Sequence, residues 1–290
     1  MPTTPYPQLP WFLKPLSWVV RVIERFSAKW AARALIELMK RPRRFTRPDR
    51  EQALLPTGER FSLKTSEGKM VAWTWGTGPL VFMIHGWEGR ATQMGGIISE
   101  MVKRGFQVVA WDGPGHGDSP GFTADPLMFA NTLMGAEEQL GSPHAVISHS
   151  MGAISTNIAL RRGFSTNCLV FMGPGGAPER GVQIIKHVFG VSEATETAIR
   201  NRIASNAGFS WAELDRALAL NNAPTPLLII HDADDMDAPL DVGNRIAASW
   251  GPAASRHQTV GLGHRKILWD KGCIDRAVSF VEQHDERQDG

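Results

Sequence analysis

A chain of 290 residues, 42% hydrophobic and 21% charged, has room for one sizeable α/β domain plus an insertion, and its composition excludes a disordered protein. Thirty-one lysines and arginines nearly balance twenty-nine aspartates and glutamates, and the resulting charge of +2 singles out no polyanionic partner. The two cysteines, Cys168 and Cys273, are too few and too far apart for a disulfide framework or a metal site, so they read as reduced thiols.

The first ten residues carry four prolines and read as an extended lead-in, without the basic segment of a secretory signal. From Leu16 the apolar residues Val19, Val20, Ile23, Phe26, Trp30, Ala34 and Leu38 recur at three and four. Arg21, Arg25, Lys29 and Arg33 fall four apart on the opposite side. This predicts one amphipathic helix with a basic face, interrupted by Trp18 and Ile36 and ended by Pro42. Between Lys14 and Arg50 stand eleven basic residues against Glu24, Glu37 and Asp49, so a basic arm, residues 1–50, precedes a mildly acidic body.

The body, residues 51–290, alternates. Arg60–Thr65 and Met70–Trp75 predict a hairpin around Ser66–Glu67–Gly68. The continuous apolar run at Leu80–His85 predicts a strand buried on both faces, and further strands are expected at Gln107–Asp112, Ala145–His149 and Asn167–Met172. Helices are expected around 93–103, 126–140 and 151–162. The alternation stops at about 174–224, where helical pieces at 180–189, 194–204 and 211–220 predict a cap over the C-terminal edge of the sheet. It resumes with a strand at 226–231, a helix near 240–250, a strand at 255–260 and a closing helix at 266–284. Strands alternating with helices predict an α/β fold: a mostly parallel central sheet with helices on both faces. Ligands of open α/β sheets bind at the C-terminal edge of the strands.

Ser148-His149-Ser150-Met151-Gly152 lies between a predicted buried strand and a predicted helix. A strand–turn–helix elbow needs small residues two before and two after its serine, because strand and helix pass close together there. Ser150 has Ser148 and Gly152 at those positions, whereas Ser148 has Val146 on one side, so Ser150 is the candidate nucleophile. His264, in Gly261-Leu262-Gly263-His264, follows the last predicted strand on a glycine-flanked loop that can swing over the elbow. His85 and His116 read as structural, and His149 as the variable residue of the elbow. Asp232, Asp234, Asp235 and Asp237 crowd the end of the strand at 226–231, and any of them could supply the acid. A calcium loop fails here, because Met236 and Asp237 stand where a third ligand and a glycine belong.

The order of serine, acid and histidine on an alternating chain resembles the α/β-hydrolase superfamily, and within it the bacterial serine hydrolases of the esterase-like branch. The matching pieces are His85-Gly86-Trp87-Glu88-Gly89-Arg90, Asp112-Gly113-Pro114-Gly115-His116-Gly117-Asp118-Ser119, His231 through Pro239, and Gly261 through His264. The resemblance spans roughly residues 60 to 285. It implies that the acid is Asp235, four after His231 and four before Pro239, with Asp232 in place of the family's glycine and Ala238 in place of its valine. It also implies an oxyanion hole made by the backbone N–H groups of Trp87 and Met151. Relatives that open epoxides or dehalogenate carry aspartate at the nucleophile position, where this chain has Ser150. The implied activity is hydrolysis of carboxylic esters through an acyl-enzyme, with no metal or organic cofactor. Thioester, amide and C–C bond cleavage, acyl transfer and a non-catalytic binding role on the same fold are the alternatives.

The implied partner is a small-molecule acyl substrate, with no nucleic acid. No apolar run reaches the roughly 18 residues of a membrane span, and the chain reads as cytoplasmic. The apolar stripe of the arm, preceded by Trp11, Phe12 and Leu13, must bury itself somewhere. The hydrolase body or cap is the expected destination; a homo-oligomer interface and an anionic membrane surface are the other two.

Overall fold

A computed structural model describes residues 14–176, 178–216, 220 and 223–285. Trp11, Phe12, Leu13, Leu218 and the proline-rich lead-in of the sequence analysis lie outside them. The chain divides into two compact units, Pro42–Gly175 with Ala219–Gly290, and Met1–Arg41 with Gly176–Leu218.

The larger unit is built on one eight-stranded sheet: β1 (Glu59–Thr65), β2 (Gly68–Trp75), β3 (Leu80–Ile84), β4 (Gln107–Trp111), β5 (Ala145–His149), β6 (Cys168–Met172), β7 (Leu227–Asp232) and β8 (Ala254–Thr259). Their order across the sheet is β1-β2-β4-β3-β5-β6-β7-β8. β1 and β2 form the expected hairpin, with Thr65 opposite Gly68, and β2 runs antiparallel to β4. All remaining neighbours are parallel. The chain leaves β3 towards β4 and returns to β5 on the other side, so strand order reverses between β3 and β5. That reversal opens the crevice where α/β sheets bind ligands.

Successive side chains of a strand point to opposite faces, so a strand covered on both sides must be apolar throughout. Val81, Met83, Val108, Ala110, Ile147 and Val170 pack on one face with Ile97, Met101, Ala277 and Val281, which belong to α4 (Gly95–Lys103) and α12 (Lys271–Gln283). α5 (Pro126–Leu140) and α6 (Met151–Arg161) pack against each other on the opposite side, where Phe82 meets Trp111 edge to face and the Trp111 indole donates to Thr132. α3 (Asp49–Gln52), α10 (Leu240–Trp250) and α11 (Gly263–Lys266) complete the unit. The expected closing helix starts five residues late, at Lys271, and a separate short helix, α11, ends at Lys266. Asp270 takes an extended conformation and its carboxylate accepts the N–H of Cys273, capping α12 and ending the continuity.

The smaller unit contains α1 (Lys14–Phe26), α2 (Ala28–Met39) and the insertion between β6 and β7, α7 (Pro178–Phe189), α8 (Glu193–Ala207) and α9 (Trp211–Arg216). The single helix expected over the arm is broken at Ser27, which is extended (φ −162°, ψ 115°) and accepts the N–H of Trp30 as the cap of α2. The break resets the helical phase, and the buried face differs from the expected stripe. Val20, Ala31, Ala32, Leu35 and Ile36 form a core with Val182, Ile185, Phe189 and Ile199, while Val19, Phe26, Trp30 and Leu38 are exposed. No described helix is long and apolar enough to cross a membrane.

Candidate active site

β5 runs straight into α6 with Ser150 as the turning residue. Its backbone sits at φ 53°, ψ −118°, a left-handed conformation that is costly for a residue with a Cβ. The neighbours leave no slack around it. A Cβ on Gly152 would lie 2.6 Å from the carbonyl oxygen of Ile84, and one on Gly86 would lie 2.7 Å from Cβ of Ser150. Ser148 takes the other small position at no cost, because its hydroxyl is buried against that of Thr156 at 2.7 Å. The Ser150 N–H donates to Met172 O, and its own carbonyl accepts from Gly175. A strained turn held by its surroundings points the Ser150 side chain out of the sheet.

Three loops converge there. His264 Nδ1–H donates to Asp235 Oδ2 at 2.7 Å, which leaves Nε2 as the acceptor for the Ser150 hydroxyl at 2.9 Å. Asp235 is fully buried as a side chain. Its other oxygen accepts the N–H groups of Asp237 and Ala238 at 2.9 and 2.7 Å. Burial pushes the Asp235 carboxyl up, but the donors from His231, His264 and Ala238 outweigh it and hold the group well below the usual carboxylate range. The structure thus brings Ser150, His264 and Asp235 into one hydrogen-bonded chain.

The other acids of the cluster are occupied by the loop itself. Asp232 accepts from the Thr259 hydroxyl and from the N–H groups of Leu262 and Asp234, and Asp234 accepts from the N–H of Gly261. Asp232 in place of a glycine therefore ties the end of β7 to the loop that carries His264. Among the described residues no group of three or more His, Cys, Asp or Glu side chains is arranged to hold a metal ion.

Trp87 lies just past the end of β3, beside the elbow, and Met151 opens α6. No backbone hydrogen bond among the described residues engages either N–H, and the first N–H groups of a helix have no intrahelical partner. The loop carrying Trp87 is braced from three sides. His85 Nδ1–H donates to Gly86 O and its Nε2 accepts the N–H of Gly113. His116 Nδ1–H donates to Pro114 O and its Nε2 accepts the N–H of Glu88. Each ring donates once and accepts once, so both are neutral. Burial pushes the His116 imidazole down to about 4 and takes His85 well below its ordinary value.

Glu88, the residue after Trp87, is itself left-handed at φ 56° and is gripped by Arg43, whose Nε and Nη2 reach its two carboxylate oxygens at 2.8 and 3.0 Å. Arg43 belongs to a strap at residues 42–52 whose arginines are spent inside the unit. Arg44 donates to the carbonyls of Gly115, Ser119 and Gly121. Arg47 bridges Asp112 and Asp118, both at 2.9 Å. Arg90 answers from the loop side, with Nε 2.6 Å from the buried carboxylate of Glu51 and Nη1 on the Phe45 carbonyl. Burial pushes the Asp112 carboxyl up to about 6, against the N–H groups of Asp118 and Ala91 and the Arg47 guanidinium.

Sequence reasoning missed this strap, because its partners lie 39 to 77 positions away. It also missed His149. The variable residue of the elbow is buried, its Nε2–H donates to the His264 carbonyl at 2.9 Å, and the two rings lie 4.6 Å apart. Burial and the nearby His264 push His149 down to about 3. His231 likewise holds the acid loop, with Nε2 2.8 Å from Ala238 O and 3.5 Å from Asp235.

A family model described as serine aminopeptidase, S33, matches residues 78–218 of the chain. No curated protein sequence matches it. Among solved structures, an esterase from Exiguobacterium antarcticum superposes with a TM-score of 0.59 at 16% identity, covering 77% of this chain and 100% of that one. A monoacylglycerol lipase from Paleococcus ferrophilus gives 0.58 at 18% identity over 74% and 99%. An epoxide hydrolase from Vigna radiata gives 0.59 at 14% over 79% and 99%. At such identities the shared property is the fold.

Proposed function

We propose that this chain, which has the α/β-hydrolase fold and matches a serine aminopeptidase family model over residues 78–218, is a serine hydrolase that cleaves carboxylic esters of small to medium acyl substrates through an acyl-enzyme intermediate. The observation that carries this reading is the chain from Asp235 through His264 to the Ser150 hydroxyl, at 2.7 and 2.9 Å, on a strained elbow. Ser150 Oγ attacks the acyl carbon while His264 Nε2 takes its proton. Asp235, kept ionised by its donors, holds the imidazole in the tautomer that can accept and stabilises the imidazolium that results. The oxyanion that develops is received by the N–H groups of Trp87 and Met151, donors worth roughly 3–4 kcal/mol each in such sites. His264 then protonates the leaving alcohol, and the same base activates the water that releases the acid.

Serine at position 150 argues against epoxide opening, which the relatives on this fold perform with an aspartate at that position. The identity of the acyl group is a matter of pocket shape, and a screen of soluble esters of graded chain length against thioesters and amides sorts the activities that the same three residues could serve. The reading is tested with Ser150→Ala, which keeps a small side chain at the elbow. Ester hydrolysis should fall by about 10⁴-fold or more with an unchanged melting temperature. Activity within tenfold of the parent would remove Ser150 from its role.

A further inference from the structure

α1 and α2 satisfy their core with one face only. Val20, Ala31, Ala32, Leu35 and Ile36 are buried against the insertion helices, yet Trp18 remains 68% exposed, Phe26 85% and Trp30 64%. Trp18, Val22 and Phe26 stand four apart on α1 and so form one stripe. Soluble surfaces carry single exposed apolar residues routinely, but not a line of large aromatics.

Most of the exposed charge on the same two helices is basic. Arg21, Arg25, Lys29 and Arg33 are all exposed. Among the described residues Arg25 and Lys29 make no ion pair or hydrogen bond, and Arg33 lies over the Trp30 ring at 5.8 Å. Glu24 is turned to Ser192, whose N–H and hydroxyl both donate to it, which leaves Glu37 as the exposed acid of the pair. Between α2 and α8 a groove of about 490 Å³ is lined by Lys29, Asn201, Arg202 and Ser205, and Nε of Arg202 is buried without a partner there.

We propose that this face docks on an anionic phospholipid bilayer. Trp18, Phe26 and Trp30 enter the interfacial layer, where aromatic side chains partition best. Arg25, Lys29 and Arg33 meet the acidic head groups, and the groove beside Lys29 and Arg202 receives a phosphate. Charge complementarity favours lipid over a second copy of the chain. A two-fold contact would set this patch against itself, cations facing cations. The surface stands independently of the chemistry proposed for Ser150.

The test is co-sedimentation of the full chain with phosphatidylcholine vesicles, with and without about 30% phosphatidylserine. The chain should pellet with the anionic vesicles, stay in solution with the neutral ones, and be released by about 0.5 M NaCl, which screens surface charge. Lys29→Glu with Arg33→Glu should weaken partitioning by roughly 30-fold or more, the effect of two cations at an anionic leaflet. The triple change Trp18→Ser, Phe26→Ser, Trp30→Ser should abolish pelleting, and both variants should keep the parent's melting temperature. A chain that never pellets, or that pellets equally with neutral vesicles, overturns the proposal. So does a triple variant that binds as well as the parent, which would mark plain adsorption to a polyanion. A dimer in the ultracentrifuge that the triple change breaks, with no vesicle binding, assigns the face to a second copy.

Discussion

Both units depart from the polar-out, apolar-in rule, the larger also exposing Phe122 and the smaller also burying Glu196, but different departures cluster in each. The larger places polar groups inside: His85, Asp112, His116, His149, His231, Asp232 and Asp235 are all buried. The smaller leaves large apolar groups outside, Trp18, Phe26 and Trp30. A buried polar group is tolerated only if hydrogen-bonded, and here the partners are spent on positioning the Ser150 elbow, the Trp87 loop and the His264 loop. A cluster of exposed aromatics has no such internal remedy, and such clusters are characteristic of contact surfaces. The clustered inward departures surround the proposed nucleophile, and the clustered outward ones form the face proposed for docking.

The sharpest way to break the inward half is to compare the acids of one loop. Asp235→Asn should lower kcat by about 10³–10⁴, because an amide no longer fixes the imidazole tautomer. Asp232→Asn should cost activity only through a looser His264 loop, by roughly tenfold at most. If Asp232→Asn is the crippling change, Asp235 is not the acid.

Next in size is the strap. Arg47→Met leaves the buried Asp112 without its cation, and breaking a buried pair in this way costs about 3–5 kcal/mol. Urea unfolding should show this as a lower midpoint, whereas Arg25→Met on α1, with no internal partner, should shift it by less than about 0.5 kcal/mol. Equal midpoints for the two variants would mean that the strap carries nothing.

The buried histidines make a smaller prediction with a defined sign. Burial lowers His116 to about 4 and His149 to about 3, below the roughly 6.5 of an unfolded chain. The unfolded state therefore binds more protons, and stability complete above about pH 6.5 is lost as pH falls towards 4. Asp112, raised to about 6, opposes this, because protonating it favours the folded state. With His85 added, three groups outweigh one, and the urea midpoint should drop between pH 7 and pH 4.5. A rising midpoint would mean that the buried acid dominates.

How much of this was legible depended on the range of the interaction. The helix at 126–140 and the strand at 145–149 coincide with their expected bounds, because periodicity and apolar runs are local signals. The elbow was legible for the same reason: Ser148, Ser150 and Gly152 meet their steric requirement within five residues. The breaks at Ser27 and Asp270 were not, since a polar residue in a helical pattern caps a new helix only when the backbone turns extended there. His149 looked interchangeable until the fold brought it against His264, 115 positions away. The eleven cations of the arm read as one basic segment, yet Arg43, Arg44 and Arg47 are consumed internally while Arg25 and Lys29 remain unpaired among the described residues. Counting charge along a chain cannot make that distinction.

On the proposed reading the Ser150 hydroxyl is an activated nucleophile. The most direct test is incubation with a fluorophosphonate ester followed by peptide mass spectrometry. The reagent should add once, to the peptide carrying Ser150, and His264→Ala should suppress the labelling by at least about 10³-fold because the base is gone. Failure of the folded parent to label, or an adduct on another residue with Ser150 unmodified, would contradict it.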